Sequence, residues 1–236
     1  MLDIVTWKWK PNQGYRSSYD AQTVNVMLSM IDRHYPHPYR FSCITDDPVG
    51  IDAAVRIIPL WDEHKEVANP WGRHQPSCYR RLRMYGADAA EWIGPRFVSL
   101  DLDATICADM SPVWNRTEDF VIWGDTSTLN AYNGSMQMMT AGARRKVWDT
   151  FHPTYSPRQS KAARNFGSDQ GWIATVLGPH ERRWTVADGV YSFRVHIKRS
   201  GGLLPPDARI VFFHGNHDPW QPAVQKAYPW IREHWR

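Results

Sequence analysis

The chain has 236 residues, 42% of them hydrophobic and 22% charged, which suffices to bury a single-domain core and excludes a mini-protein held together by staples. No run of about 18 apolar residues occurs, and Met1-Leu2-Asp3-Ile4 lacks the basic-then-apolar order of a secretion signal, so the chain reads as cytosolic. Cys43, Cys78 and Cys107 are far apart and form no C-x-x-C pair, which excludes a disulfide framework or zinc knuckle; 13 Trp, 10 Tyr and 8 Phe beside a net charge of +4 leave nucleic acid, nucleotides, sugars and anionic lipid open.

Residues 2–7 form a short β-branched run closed by a polar stretch with Pro11 and Gly14, a first strand and loop. A helix follows: Ser17 or Ser18 is the expected cap, Ala21, Val24, Leu28 and Ile31 recur at helical spacing, and Pro36 ends it. Strands are expected at 39–45 and 55–58, then a long ordered loop rich in Trp, Pro and His over 59–76. A helix is predicted over 77–92, stopped by Gly94-Pro95, and 97–100 is an apolar run suited to a strand buried on both faces. Further strands are predicted at 120–123, 135–139, 184–186 and 210–213, with helices at 141–151 and 168–177. This alternation predicts one α/β domain, a three-layer α/β/α sandwich with a mostly parallel central sheet, whose ligands sit beyond the carboxyl ends of the strands.

Asp101-Leu102-Asp103 lies just past such an end. Residues two apart in extended chain point to one side, so the two carboxylates converge and need a cation between them; Mg²⁺ or Mn²⁺ suits oxygen ligands and tolerates phosphates as further ligands. The bland alternative is one aspartate capping a turn and the other solvated. The run 97–105 also resembles the first motif of haloacid-dehalogenase-type phosphatases, with Asp101 as nucleophile, but that motif normally opens the domain, whereas about a hundred residues precede it here.

An ordered set of segments resembles the GT-A (Rossmann-like) nucleotide-sugar glycosyltransferases, in particular glycosyltransferase family 8. These are Thr45-Asp46-Asp47, Asp101-Leu102-Asp103, Tyr132-Asn133-Gly134-Ser135-Met136-Gln137, Gly167-Ser168-Asp169-Gln170, and Phe212-Phe213-His214-Gly215-Asn216-His217-Asp218-Pro219-Trp220. The resemblance implies a metal-dependent transfer from a nucleotide diphosphate-sugar, with uridine the expected base, to an acceptor hydroxyl on a glycan, a lipid-linked sugar or a protein, with retention at the anomeric carbon. It implies Mn²⁺ or Mg²⁺ at Asp101, Asp103 and His214; Thr6, Trp7, Tyr15 and Asp46 at the base and ribose; and Gly215 and His217 at the diphosphate. Asn133, Asp169 and Gln170 would face the donor sugar and acceptor. Residues 1–100 would be the nucleotide-binding half and 101–220 the metal, donor-sugar and acceptor half.

The family's diphosphate-binding Lys falls at His217-Asp218, so that cation must come from elsewhere. Arg80, Arg81 and Arg83 are candidates, Arg80 and Arg83 sharing a face at helical spacing. Ser168 also suits an N-cap, with Gly178 past the helix end. Trp7, Trp71, Trp123 and Trp220 flank the strand-end site and offer flat faces for a base or sugar ring, which favours a nucleotide-sugar cleft over a nucleic-acid surface. The tail 221–236, with Trp230, Trp235, Lys226, Arg232 and Arg236, suits either a closing helix on the domain or a peripheral contact with anionic lipid. No G-x-S-x-G elbow, Walker loop or early G-x-G-x-x-G is present. The remaining alternative is a non-catalytic carbohydrate-binding module.

Overall fold

The structure, a computed structural model, describes residues 1–10, 19–72, 75–124 and 131–236. The elements in chain order are β1 (Leu2–Lys8), α1 (Ala21–His34), β2 (Tyr39–Thr45), β3 (Arg56–Pro59), a 3₁₀ helix (Tyr79–Tyr85), α2 (Ala89–Trp92), β4 (Arg96–Leu100), β5 (Ala104–Ile106) and α3 (Ser111–Trp114). There follow β6 (Phe120–Trp123), β7 (Asn133–Thr140), α4 (Lys146–Asp149), α5 (Ser156–Ala162), α6 (Asp169–Leu177), β8 (Arg183–Trp184), β9 (Val190–Ser192), a π-helical turn (Phe193–Ile197), β10 (Ile210–Phe212), α7 (Pro222–Ala227) and α8 (Pro229–His234).

The main sheet has seven strands in the order β3-β2-β1-β4-β7-β6-β8. β1 pairs in parallel with β2 and β4, β2 with β3, and β6 with β8, while β7 is antiparallel to both β4 and β6. The sheet is thus mostly parallel, as expected. Every residue of β1 is buried, and the period-two alternation sends Leu2 and Ile4 into one apolar cluster and Val5 and Trp7 into the opposite one. The first cluster includes Val24, Met27, Met30 and Ile31 of α1; the second includes Tyr79, Leu82 and Tyr85 of the 3₁₀ helix and Trp172 and Ile173 of α6. Helices therefore cover both faces.

The predicted cap residues Ser17 and Ser18 lie outside the described residues; Asp20 caps α1, its carboxylate accepting the Thr23 N–H at 2.8 Å. The helix predicted over 77–92 splits into the 3₁₀ helix and short α2; Tyr79, Leu82 and Tyr85, three residues apart and all fully buried, are brought into line by three residues per turn. Of the helix predicted over 141–151, only α4 is regular. The strand predicted at 184–186 ends at Trp184, since Thr185 and Asp188 form a capping box that turns the chain.

Three-residue strands with no readable alternation, β5 and β9, form a second sheet with β10 in the order β5-β10-β9. Phe212 of β10 pairs with Ala104 on one side and Ser192 on the other, and the Phe213 N–H bonds the Asp103 carbonyl at 2.7 Å. This sheet therefore starts at Asp103. The C-terminal segment packs on it: Val224 and Ile231 are buried, Trp230 Nε1 donates to the Gly202 carbonyl at 3.0 Å, and Trp235 lies against the core. Of the two expectations for the tail, its rings are placed in the closing-helix arrangement. Among the described residues no helix is long and apolar enough to cross a membrane. The cysteines are unpaired thiols, Cys43 and Cys107 buried.

Candidate functional site

Asp101 is the first residue beyond β4, and its N–H bonds the Ser135 carbonyl at 2.8 Å, which continues the β4–β7 register and seats the start of β7 beside its carboxylate. The 3₁₀ helix brings Arg81 to the same point. Its guanidinium bonds Asp101 Oδ1 through Nη1 and Asp169 Oδ2 through Nε at 2.9 Å and Nη2 at 2.7 Å. Burial works against the charge on Arg81, but the two carboxylates outweigh it and hold the guanidinium protonated. Ser168 does not cap α6 with its side chain as expected; its Oγ accepts the Cys78 N–H at 2.9 Å, which ties the entry of the 3₁₀ helix to α6 and sets Arg81 opposite Asp169.

Asn133 and Gln170 complete this side. The Gly134 N–H donates to Gln170 Oε1 at 3.3 Å, and Asn133 Oδ1 accepts the Ser135 N–H at 2.9 Å. A Cβ at Gly134 would stand 3.1 Å from Arg81 Nη2 and 3.4 Å from Asp169 Oδ2, so the backbone approaches the ion pair as only glycine permits without displacement. The structure thus brings Asp101, Asn133, Asp169 and Gln170 together.

Asp103 sits on the other side of buried Leu102 and leads into β5. Burial, then the charges of Asp101 and Asp218, push its carboxyl well above the usual carboxylate range. Its Oδ1 is buried with no hydrogen-bond partner. Asp218, one of the two residues where the resemblance would put a lysine, is itself buried and accepts Gln221 Nε2 at 3.1 Å. A buried carboxylate oxygen without a donor, among further carboxylates, fits the chemistry of a divalent cation at Asp103.

The complete ligand set expected from sequence is not gathered. Asp101 is engaged by Arg81 and Ser135, His214 Nε2 is 2.7 Å from Ser192 Oγ, and among the described residues no three His, Cys, Asp or Glu side chains converge to hold a metal. The His214 ring stands edge-on to Trp123 with centroids 5.9 Å apart. Burial, reinforced by Arg194 and His196, pushes its titration down to about 4, so the imidazole is neutral at pH 7. Gly215 has φ 103°, and the Arg194 side chain lies against it, its Nη1 3.7 Å from where a Cβ would be. His217 Nε2 is 3.0 Å from Lys198 Nζ.

The other predicted contacts fall elsewhere. Thr6 Oγ1 donates to the Leu100 carbonyl at 2.9 Å and Trp7 Nε1 to Ser99 Oγ at 2.8 Å; both side chains are buried in the sheet, so the Trp7 ring is closed to a base. Trp123 is equally buried, whereas Trp71 and Trp220 keep part of their surface. Tyr15 lies outside the described residues. Asp46 is exposed, and its charge faces Arg80. Arg80 Nε donates to the Trp61 carbonyl at 2.8 Å, and Arg83 pairs with Glu63 at 2.7 Å with its guanidinium 5.1 Å over the Trp61 ring. The cation brought to the strand-end carboxylates is therefore Arg81, not Arg80 or Arg83.

A parallel half-sheet whose carboxyl edge carries paired aspartates, next to an antiparallel strand that returns beside them, defines an α/β protein in which the strand ends are the candidate ligand site. No family model matches the sequence, and no curated protein sequence matches it. Solved structures do. The galactosyltransferase LgtC, in complex with donor and acceptor sugar analogs, is similar at TM-score 0.61 and 12% identity over 99% of this chain and 96% of its own. The glycosyltransferase GlyE of Streptococcus pneumoniae TIGR4 gives 0.63 and 10% over 100% of this chain and 62% of its own. Mouse xyloside xylosyltransferase 1 gives 0.57 and 10% over 90% and 97%. The chain has the fold of the GT-A glycosyltransferases over nearly its whole length.

Proposed function

We propose that the protein is a metal-dependent glycosyltransferase that takes a sugar from a nucleotide diphosphate-sugar, with uridine diphosphate as the leaving group, and passes it to an acceptor hydroxyl with retention. The observation that carries this reading is the pair of carboxylates at the end of β4, one of them bridged by Arg81 to Asp169, on a fold shared with glycosyltransferases. A divalent ion held at Asp103 and Asp101 would supply positive charge to the departing diphosphate. Asp169, kept in place by two bonds from Arg81, is the fixed negative group for oxocarbenium charge developing at the anomeric carbon. Asn133 and Gln170 orient the sugar beside it, and the leaving phosphate oxygen takes the acceptor proton. Arg194, which lies against Gly215, is the cation we assign to the diphosphate in place of the family's lysine. The phosphatase alternative has no support in the fold, since β4 is not the first strand and the likeness to glycosyltransferases spans the chain.

Asp103→Asn tests the reading. The expected outcome is loss of Mn²⁺-dependent thermal stabilisation by UDP and loss of sugar transfer, with the far-UV circular dichroism and melting curve of the free protein preserved. Full Mn²⁺-dependent UDP binding in that variant would remove Asp103 from the site.

A further inference from the structure

The π-helical turn leads into a loop that the fold holds out from the surface. A 3₁₀ turn over Lys198–Ser200 runs into Gly201 and Gly202, at φ 92° and 82°, a left-handed pair that reverses the chain. Gly202 is buried and tied at both of its backbone groups: its N–H bonds the Ile197 carbonyl at 2.9 Å, and its carbonyl accepts Trp230 Nε1 at 3.0 Å. A Cβ there would run into the Tyr228 ring, so glycine is what lets the loop lie this close on the C-terminal segment.

The residues on either side of this anchor, Gly201 and Leu203, are exposed, Leu203 to 82%. Leu203 is not a frayed end. The backbone beside it is pinned by buried partners, and the leucine is left in water all the same. At its base lie Leu204, Tyr228 and Trp230, each half-buried on the same apolar cluster. Leucines and two amphipathic rings thus form one continuous apolar feature and not a single stray side chain.

The charge around this tip has one sign. No Asp or Glu occurs from 189 to 206, and Lys198 and Arg199, both exposed, stand just before the glycines. Neither makes an ion pair among the described residues; Lys198 Nζ is 3.0 Å from His217 Nε2. A projecting leucine beside two unneutralised cations, with an indole and a phenol at its base, complements a bilayer surface, where phosphates lie above acyl chains and amphipathic rings settle between them. A nucleic acid would satisfy the cations but offer the leucine no apolar layer.

We propose that the loop 198–204 docks the protein on an anionic phospholipid surface, with Leu203 entering the acyl boundary and Lys198 and Arg199 pairing with headgroup phosphates.

The test is co-sedimentation of the full chain, without nucleotide, with vesicles of phosphatidylcholine alone or mixed with phosphatidylglycerol. Binding is expected only to the anionic vesicles and falls as salt rises. Lys198→Gln combined with Arg199→Gln is expected to weaken it about ten-fold or more, and Leu203→Ser about five-fold or more. Both variants are expected to keep the melting curve of the native chain, because all three side chains are exposed. No binding to anionic vesicles, equal binding to neutral ones, or binding that survives the charge substitutions overturns the proposal. Loss in the charge variant with full binding in Leu203→Ser would mark a polyanion site without lipid insertion and overturns it as well. No nucleotide or sugar enters the measurement, so its failure leaves the glycosyltransferase reading untouched.

Discussion

Arg81 sits between two carboxylates, Asp101 and Asp169, and only 7% of its side chain is exposed. Removing one partner of a buried ionic cluster leaves the others desolvated and, in this case, facing each other. Arg81→Met is therefore expected to lower unfolding stability by about 3–5 kcal/mol, measured by urea denaturation, and Asp169→Asn in the same chain is expected to restore part of it. A loss below about 1 kcal/mol would place these charges in water rather than in the protein. Asp101, Asp103, Asn133, Asp169 and Gln170 are legible from sequence because each belongs to a short motif at an element end. Arg81 is not, since choosing among Arg80, Arg81 and Arg83 requires knowing which face of the helix meets β4. Helical spacing alone favours Arg80 and Arg83, and their bonds run to Trp61 and Glu63 instead.

Elements whose signal lies within their own residues follow the sequence closely. β2 and β6 occupy the predicted residues, and β1 and β4 differ by one residue at an end. α1 is read from its apolar period, with its cap two or three residues later than expected, at Asp20. Asp20→Ala leaves the Thr23 N–H without its acceptor and is expected to cost about 1 kcal/mol, seen as a fall in melting temperature with no change in nucleotide binding; an unchanged melting temperature would mean that water replaces the cap. Elements held by partners distant in sequence are not legible. β5 and β9 have three residues each, too few for a pattern, and exist because β10 pairs with both. The 3₁₀ helix likewise owes its pitch to what Tyr79, Leu82 and Tyr85 pack against.

Across the whole molecule, stability should depend on pH through His214. The fold holds this imidazole neutral down to about pH 4, against about 6.5 when unfolded, so in that window the unfolded chain binds the extra proton. His214 thus contributes stability that is present above pH 6.5 and lost as pH falls towards 4, on the order of 3 kcal/mol in all. In metal-free protein, the stability difference between the native chain and His214→Gln is expected to shrink along that descent; a constant difference would show that the imidazole is solvated.

The sequence by itself determined the α/β class, the positions of the main strands along the chain and the strand-end aspartates, because periodicity and motifs are local. It also supplied many aromatic rings, with Trp7, Trp71, Trp123 and Trp220 expected to flank the strand-end site. Tertiary structure decided where the rings lie: Trp7, Trp114, Trp123, Trp172 and Trp184 fill the interior, while Trp71 and Trp220 keep part of their surface. It also decided which arginine reaches the carboxylates and that a second sheet begins at Asp103. The physical reason is the same throughout. Burial and charge pairing depend on what other parts of the chain bring to a residue, and no spacing along the chain encodes that partner.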